Sequence, residues 1–274
     1  MTVGRPRGRP GVLRAALENA TLMDVLSPLA VVVLWEALMR ALPARAAGLF
    51  TSPSEVLRAL GELLTGAQAH VYGSLWQHLL TSASEITLGF LAAFVTAIPL
   101  GIAMGWSRWI ERAVDPIVEV LRPIPPTAWL PLSIFLLGIG LSQKVFAIFV
   151  TAFASMLINT VKGVKTIDPI NLKVAYTHNA RQRDIILKVL VPVIAPVIVV
   201  SARIGLGLAW MALVAAEMVA ADAGLGFLLL EAYRLFRPDL LVACMVIIGG
   251  IAYLVDKCIR GIEQRRLTWL EDTA

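Results

Sequence analysis

The chain alternates long apolar runs with short polar breaks. Apolar runs cover about residues 25–42, 84–106, 115–139, 144–163, 188–219 and 239–256. A helix of about 20 apolar residues crosses a hydrocarbon core of roughly 30 Å. The runs are continuous and do not alternate residue by residue, which excludes a membrane β-barrel. The pattern predicts an all-α, polytopic membrane protein with six transmembrane helices. They form one domain over 25–262, with a tail at 1–24 and another at 263–274. The first run leads into ALPARA (41–46) like a signal peptide, but it is longer than a usual apolar signal core. We read it as an uncleaved helix.

Three stretches between the runs have their own patterns. GLFTSPSEVLRALGELL (48–64) has Ser52 or Ser54 as N-cap, Pro53 beside it and Glu55 in the first turn. Val56, Leu57, Leu60, Leu63 and Leu64 recur at helical spacing, so an amphipathic helix outside the membrane is expected. GLGFLLLEAYRLFRPD (224–239) is too short and too charged for a span and predicts an external or partly embedded helix. KVAYTHNARQRD (173–184) is polar and basic, of helix length, between the fourth and fifth runs.

Composition sharpens the reading. The 274 residues are 58% hydrophobic and only 16% charged, with a mean hydropathy of +0.78. Soluble domains carry about 25% charged residues. The net charge of +5 reflects loop lysines and arginines and does not call for a nucleic acid partner. With both termini inside, sixteen Lys/Arg fall on the inner side, including Arg108, Arg112, Lys162, Lys165, Arg181 and Arg183; six, including Arg58, Lys144 and Arg234, fall outside. Both termini are therefore expected in the cytoplasm. Trp106, Trp109 and Trp269 then sit near the inner interface. KVAYTHNARQRD faces the cytoplasm.

Chemistry is sparse. Cys244 and Cys258 lie 14 residues apart on the last run, about 21 Å along a helix, too far to pair; both are read as buried thiols. His70, His78 and His178 are scattered, and no metal cluster or nucleophile–base pair is visible. No GxxxxGK[ST] motif occurs, so the chain is not an ATPase. LRPIPPTAWLPL (121–132) puts Pro123, Pro125, Pro126 and Pro131 in one run. Proline removes a backbone donor, and such breaks persist at membrane depth only where protein or a water-filled cavity covers them. The segment is either a kink or a lining of the solute pathway. Arg122, Arg203 and Glu217 are ionisable residues inside the runs, where charges are costly and are usually functional or paired. Arg203 lies about 20 Å along its helix from Leu190 and offers positive potential for an anion or a structural ion pair. Arg122 is a second choice, able to snorkel. Glu217, near the outer end of its run, is expected to order an outer gate or to hydrogen-bond to a second copy of the chain, a structural role, since a carboxylate repels an anion on the pathway. The pathway or gate set is Arg122, Pro125, Pro126, Trp129, Arg203, Trp210 and Glu217. Glu36 and Glu119 receive no role. GIAMG (101–105) and GLG (205–207) are expected to let helices approach closely.

The polar insert resembles the EAA loop of ABC-importer permeases. It reads Lys173-Val174-Ala175, three residues, Asn179, then Val191-Pro192, with asparagine where the loop has glycine. DPIVEVLRPIPPTAWLPLSIFLLGIG (115–140), SARIGLGLAWMALVAAEMVAADAGLGFLL (201–229), RRLTW (265–269), SPSEV (52–56) and LWQHL (75–79) resemble the permeases for nitrate, alkanesulfonates and taurine, with taurine permeases most similar. The resemblance runs from about residue 25 to the end. It implies a binding-protein-dependent (MetI-like) permease fold in the bacterial cytoplasmic (inner) membrane. The implied partners are a second permease copy, two ATP-binding subunits, a periplasmic or lipid-anchored substrate-binding protein and membrane lipid. This chain would hold no cofactor, with ATP and Mg bound by the ATPase. It also implies that a cytoplasmic coupling segment at about 168–186 docks on the ATPase through Lys173, Ala175, Tyr176, His178, Asn179 and Arg181. Asn179 is the residue after glycine that best tolerates φ > 0. The implied solute is a small anion, taurine or another sulfonate first, then nitrate, bicarbonate or another small organic anion. A self-contained secondary transporter and a membrane-embedded enzyme are the rivals. The first would show an internal repeat, which is not evident.

Overall fold

The computed structural model describes residues 10–41, 50–67, 73–168, 170, 175, 177 and 180–266. Its elements are α1 (Pro10–Ala41), α2 (Pro53–Thr65), α3 (Leu75–Trp106), α4 (Arg108–Leu121), a 3₁₀ turn (Pro126–Ala128), α5 (Trp129–Leu137), α6 (Leu141–Lys165), α7 (Gln182–Ala220), α8 (Leu225–Arg234) and α9 (Pro238–Arg266). The described residues are helices and connections, without strands. Among the described residues four helices, α3, α6, α7 and α9, are long and apolar enough to cross a membrane, and α4 with α5 makes a fifth if the bent pair is one span. The first expected span lies within α1, which begins at Pro10, well before residue 25.

α6 is the central helix, with α3 and α7 packed along it. Small residues make the close approach possible. A Cβ on Gly89 would lie 2.6 Å from Ile148, and one on Gly101 2.8 Å from Thr160. Across the other face, a Cβ on Gly205 would lie 2.7 Å from Met156. Ile148, Ala152, Met156 and Leu157 of α6 are fully buried in this seam. Lipid tails are as apolar as these side chains, so packing density rather than water exclusion holds the seam. Of the two small-residue motifs, GIAMG packs Gly101 and Gly105 onto α6, and GLG packs only Gly205; Gly207 faces open space.

α3 starts nine residues before the predicted span. His78, Ser82 and Glu85 lower the hydropathy there, yet all three are buried against the neighbouring helices. The third predicted span is corrected more deeply. One helix over 115–139 is replaced by two bent 85° apart. α4 begins at Arg108 and stops at Leu121; Pro123, Pro125 and Pro126 then withhold the donors a continuous helix needs. Pro125 is extended (φ −63°, ψ 145°) and accepts the Ala128 N–H at 2.9 Å to start the 3₁₀ turn. In α7, Pro192 and Pro196 give no N–H to the carbonyls four residues back, and the turn just before them, Ile186–Leu190, widens to a π turn.

α2, α8 and α9 form a second core around Val56, Ala59, Leu63, Leu225, Leu228, Leu240 and Cys244. Ser52 caps α2 in a capping box with Glu55. Ser54 instead gives its N–H and hydroxyl to Glu36 of α1, at 3.1 and 3.0 Å. Leu57 and Leu64, expected on the apolar face, are exposed. Cys244 is buried as expected, but Cys258 is exposed. Trp269 lies outside the described residues.

Candidate functional site

The proline break opens a cavity of about 370 Å³ between α4, the 3₁₀ turn, α6 and α7. Its lining includes Arg122, Pro126, Trp129, Ser155, Asn159 and Lys162. Trp129 is set edge-on against Phe146, with ring centres 6.5 Å apart. Two cations and no carboxylate face this space, and neither cation enters an ion pair among the described residues. A smaller hollow of about 190 Å³ adjoins it, where Asp115 and Glu119 join Arg122, Lys162 and Lys165. Lys165 is already paired with Glu111. Arg122, Pro126 and Trp129, named from the sequence, are thus brought together. Ser155, Asn159 and Lys162 were missed because they sit in an otherwise apolar helix; their i, i+4, i+7 spacing places them on one face and was the available signal.

Arg203 is elsewhere. Its Nε donates to Asp256 at 3.0 Å and its Nη1 to Glu263 at 3.1 Å, joining α7 to α9. Of the two roles open to it, the geometry is that of a structural ion pair. Trp210 lines a 160 Å³ hollow beside Arg203 and a separate apolar cavity of about 530 Å³. Its Nε1 has no partner among the described residues.

Glu217 is fully buried in a polar knot joining α3, α6, α7 and α8. The first N–H groups of α8 need acceptors, because a helix start leaves them unpaired, and no N-cap side chain supplies one. Gly224 donates instead to His78 Nδ1 at 3.0 Å, Leu225 to Ser82 Oγ at 2.9 Å and Gly226 to Glu217 Oε2 at 2.7 Å. The Ser82 hydroxyl donates in turn to Glu217 Oε1 at 2.5 Å. A carboxylate at a helix N-terminus also meets the positive end of the dipole. Gly224 has φ +132°, and the Glu217 carboxylate occupies the place a Cβ would take. Beside the knot Lys144 is buried and paired with Glu85. Lys144, at the start of the fourth predicted span, belongs to the first turn of α6 and points inward.

Of the coupling set, Lys173, Tyr176, His178 and Asn179 lie outside the described residues. Ala175 accepts the Ala180 N–H at 3.3 Å, and Arg181, extended and exposed, precedes α7.

Residues 97–266 match the profile of the family described as "Binding-protein-dependent transport system inner membrane component". The chain belongs to this family. The permease is 44% identical over 198 residues to a Methanocaldococcus jannaschii protein whose name places it among ABC transporter permeases, covering 72% of this chain and 74% of that one. It is 37% identical over 223 residues to the taurine transport system permease protein TauC of Escherichia coli, covering 81% and 80%. It is 35% identical over 193 residues to the nitrate import permease protein NrtB of Leptolyngbya laminosa, covering 70% and 69%. A structure of the MetNI methionine ABC transporter in an inward-facing conformation superposes with a TM-score of 0.61 at 20% identity, over 70% of this chain and 95% of that one, and shares its fold. The permease is therefore the multi-pass membrane component of an ABC importer. ATP hydrolysis belongs to partner subunits, and a secondary transporter is not supported.

Proposed function

We propose that the permease passes a small organic anion, a sulfonate such as taurine, through the cavity at its proline break. The observation that carries this is the pair Arg122 and Lys162, which face a 370 Å³ space that holds no carboxylate. That volume falls in the range of small-molecule sites, about 300–1,000 Å³. A guanidinium binds two oxygens of one anion at once, while an ammonium acts as a point charge. Arg203, neutralised by two carboxylates, is left to hold α7 on α9. Two permease copies would close the pathway, with the exposed apolar Phe135, Leu136 and Ile139 beside the break facing the second copy. In this reading six spans place both termini in the cytoplasm. The segment 168–186 then docks on the ATPase, with Lys173, Ala175, Tyr176, His178, Asn179 and Arg181 as contacts, and its movement enters the bundle through the π turn at the start of α7.

Nitrate is the second reading, supported by similarity to a nitrate permease at nearly the same identity as to the taurine permease. The test is ATPase activity of the permease reconstituted with its ATPase and binding protein against a panel of anions. Stimulation by taurine or another sulfonate supports the proposal. Stimulation by nitrate alone replaces the substrate and keeps the importer.

A further inference from the structure

Two helices of this chain end in the same hydrogen-bonded turn, and only one ends in glycine. At the end of α2, Gly66 donates to Leu63 O at 3.4 Å and Ala67 to Glu62 O at 3.1 Å, with Gly66 at φ +70°. At the end of α8, Phe236 donates to Tyr233 O at 3.1 Å and Arg237 to Ala232 O at 3.0 Å, with Phe236 at φ +53°. The left-handed residue of this turn is usually glycine, because a Cβ is strained there. Phe236 is the one non-glycine residue with positive φ among those described. Burial does not account for it: the residue is 84% exposed. A bulky side chain held in a strained turn and pointed away from the fold suggests a contact made outside it.

The surroundings narrow the partner. Arg237, the next residue, lines a cleft of about 330 Å³ with Phe50, Glu55, Arg58, Glu62 and Asp239. Phe50 is half exposed. The Arg237 guanidinium is held by Asp239 at 2.6 Å and faces Glu62 at 3.6 Å, so the cleft has a set shape. Charges so dense are costly against lipid tails. Exposed aromatic anchors beside a polar rim that includes arginine are found at protein interfaces. The cleft lies between α2 and the start of α9, at the end of the bundle where α7 finishes, opposite the end that bears the coupling segment.

We infer that Phe236 and Phe50, with the charged cleft between α2 and α9, form the docking surface for the soluble solute-binding protein. The inference rests on the importer reading with termini in the cytoplasm, which puts this end outside. The partner presents an apolar socket for the Phe236 ring and polar groups to the mixed-charge rim. Phe236 positions that protein and does not touch solute.

Phe236→Gly separates docking from folding, because glycine suits the turn and removes only the ring. The reconstituted permease with its ATPase is titrated with purified binding protein, reading the concentration for half-maximal ATPase stimulation. We expect that concentration to rise about tenfold or more, the size of an interface anchor's loss. Basal ATPase activity should stay constant, melting temperature should stay constant or rise, and Phe236→Tyr should retain near-normal docking. An unchanged half-saturation in Phe236→Gly, with a responsive wild type, overturns the docking surface alone. A lowered melting temperature shows that the ring packs within the fold, and dissociation of the permease dimer assigns the surface to a second copy; either overturns it. A wild type that no binding protein stimulates overturns the importer reading and this inference with it.

Discussion

Gly224→Ala tests the polar knot at the start of α8. The backbone there, φ +132° and ψ 167°, is a region that residues with a Cβ hardly enter, at a cost of order 1–3 kcal/mol. The added Cβ would also overlap the Glu217 carboxylate. That carboxylate accepts hydrogen bonds from Ser82 and Gly226, and each bond to a charged group contributes about 1.5–3 kcal/mol. Losing one of the two in addition to the strain gives a total of roughly 2.5–6 kcal/mol, a large share of a typical folding free energy. Gly61→Ala is the matched control. Gly61 lies on the exposed face of α2 with nothing within 4 Å of its would-be Cβ, so alanine should stabilise by about 0.5–1 kcal/mol. The assay is the half-life of the folded permease in nanodiscs at a fixed elevated temperature, since unfolding of membrane proteins is commonly irreversible and a rate is then the defined quantity. Gly224→Ala should shorten it steeply, and Gly61→Ala should leave it equal or longer. A Gly224→Ala half-life equal to wild type would refute the account of Glu217 as the cap of α8.

Three further outcomes are expected. Arg122→Gln with Lys162→Gln should fold normally and lower transport of the stimulating anion about tenfold or more while binding-protein-independent ATPase activity persists; unchanged uptake in proteoliposomes would remove the cavity from the pathway. Lys144→Met should destabilise by about 3–5 kcal/mol, because it strands the buried Glu85 carboxylate, and adding Glu85→Leu should restore most of the loss. A double-mutant cycle on thermal stability reads both, and additive effects would refute a buried pair. Arg203→Gln should lower the melting temperature, leaving Glu263 without its cation and Asp256 with Arg260 alone, yet keep the half-saturating solute concentration at the wild-type value. A shift in that concentration alone would return Arg203 to the pathway.

The class of protein, the positions of the long helices and the break at residues 122–128 were legible because they depend on local chemistry. Long apolar runs must be helical in lipid, and proline cannot donate wherever the chain goes. A serine cap for α2, at Ser52 or Ser54, and the need for covered space beside Pro125 and Pro126 follow from the same kind of reasoning. Partnership was not legible. Arg203 and Arg122 look alike in one dimension, each a single arginine in an apolar run; Asp256 and Glu263 pair with the first from α9, and no carboxylate lines the larger cavity of the second. His78, Ser82 and Glu85, with Gly89, Ala93, Ala97 and Gly101, form a stripe of small and polar residues at helical spacing. That stripe marks a face turned to another helix, but not which groups it meets there. The sequence by itself determined that the protein is helical and membrane-embedded, where its prolines break the run and which charges lie among the apolar residues. The tertiary structure decided which of those charges are neutralised, because an ion pair or a capped helix start depends on residues as many as 146 positions apart meeting within 3 Å, and no local pattern encodes that distance.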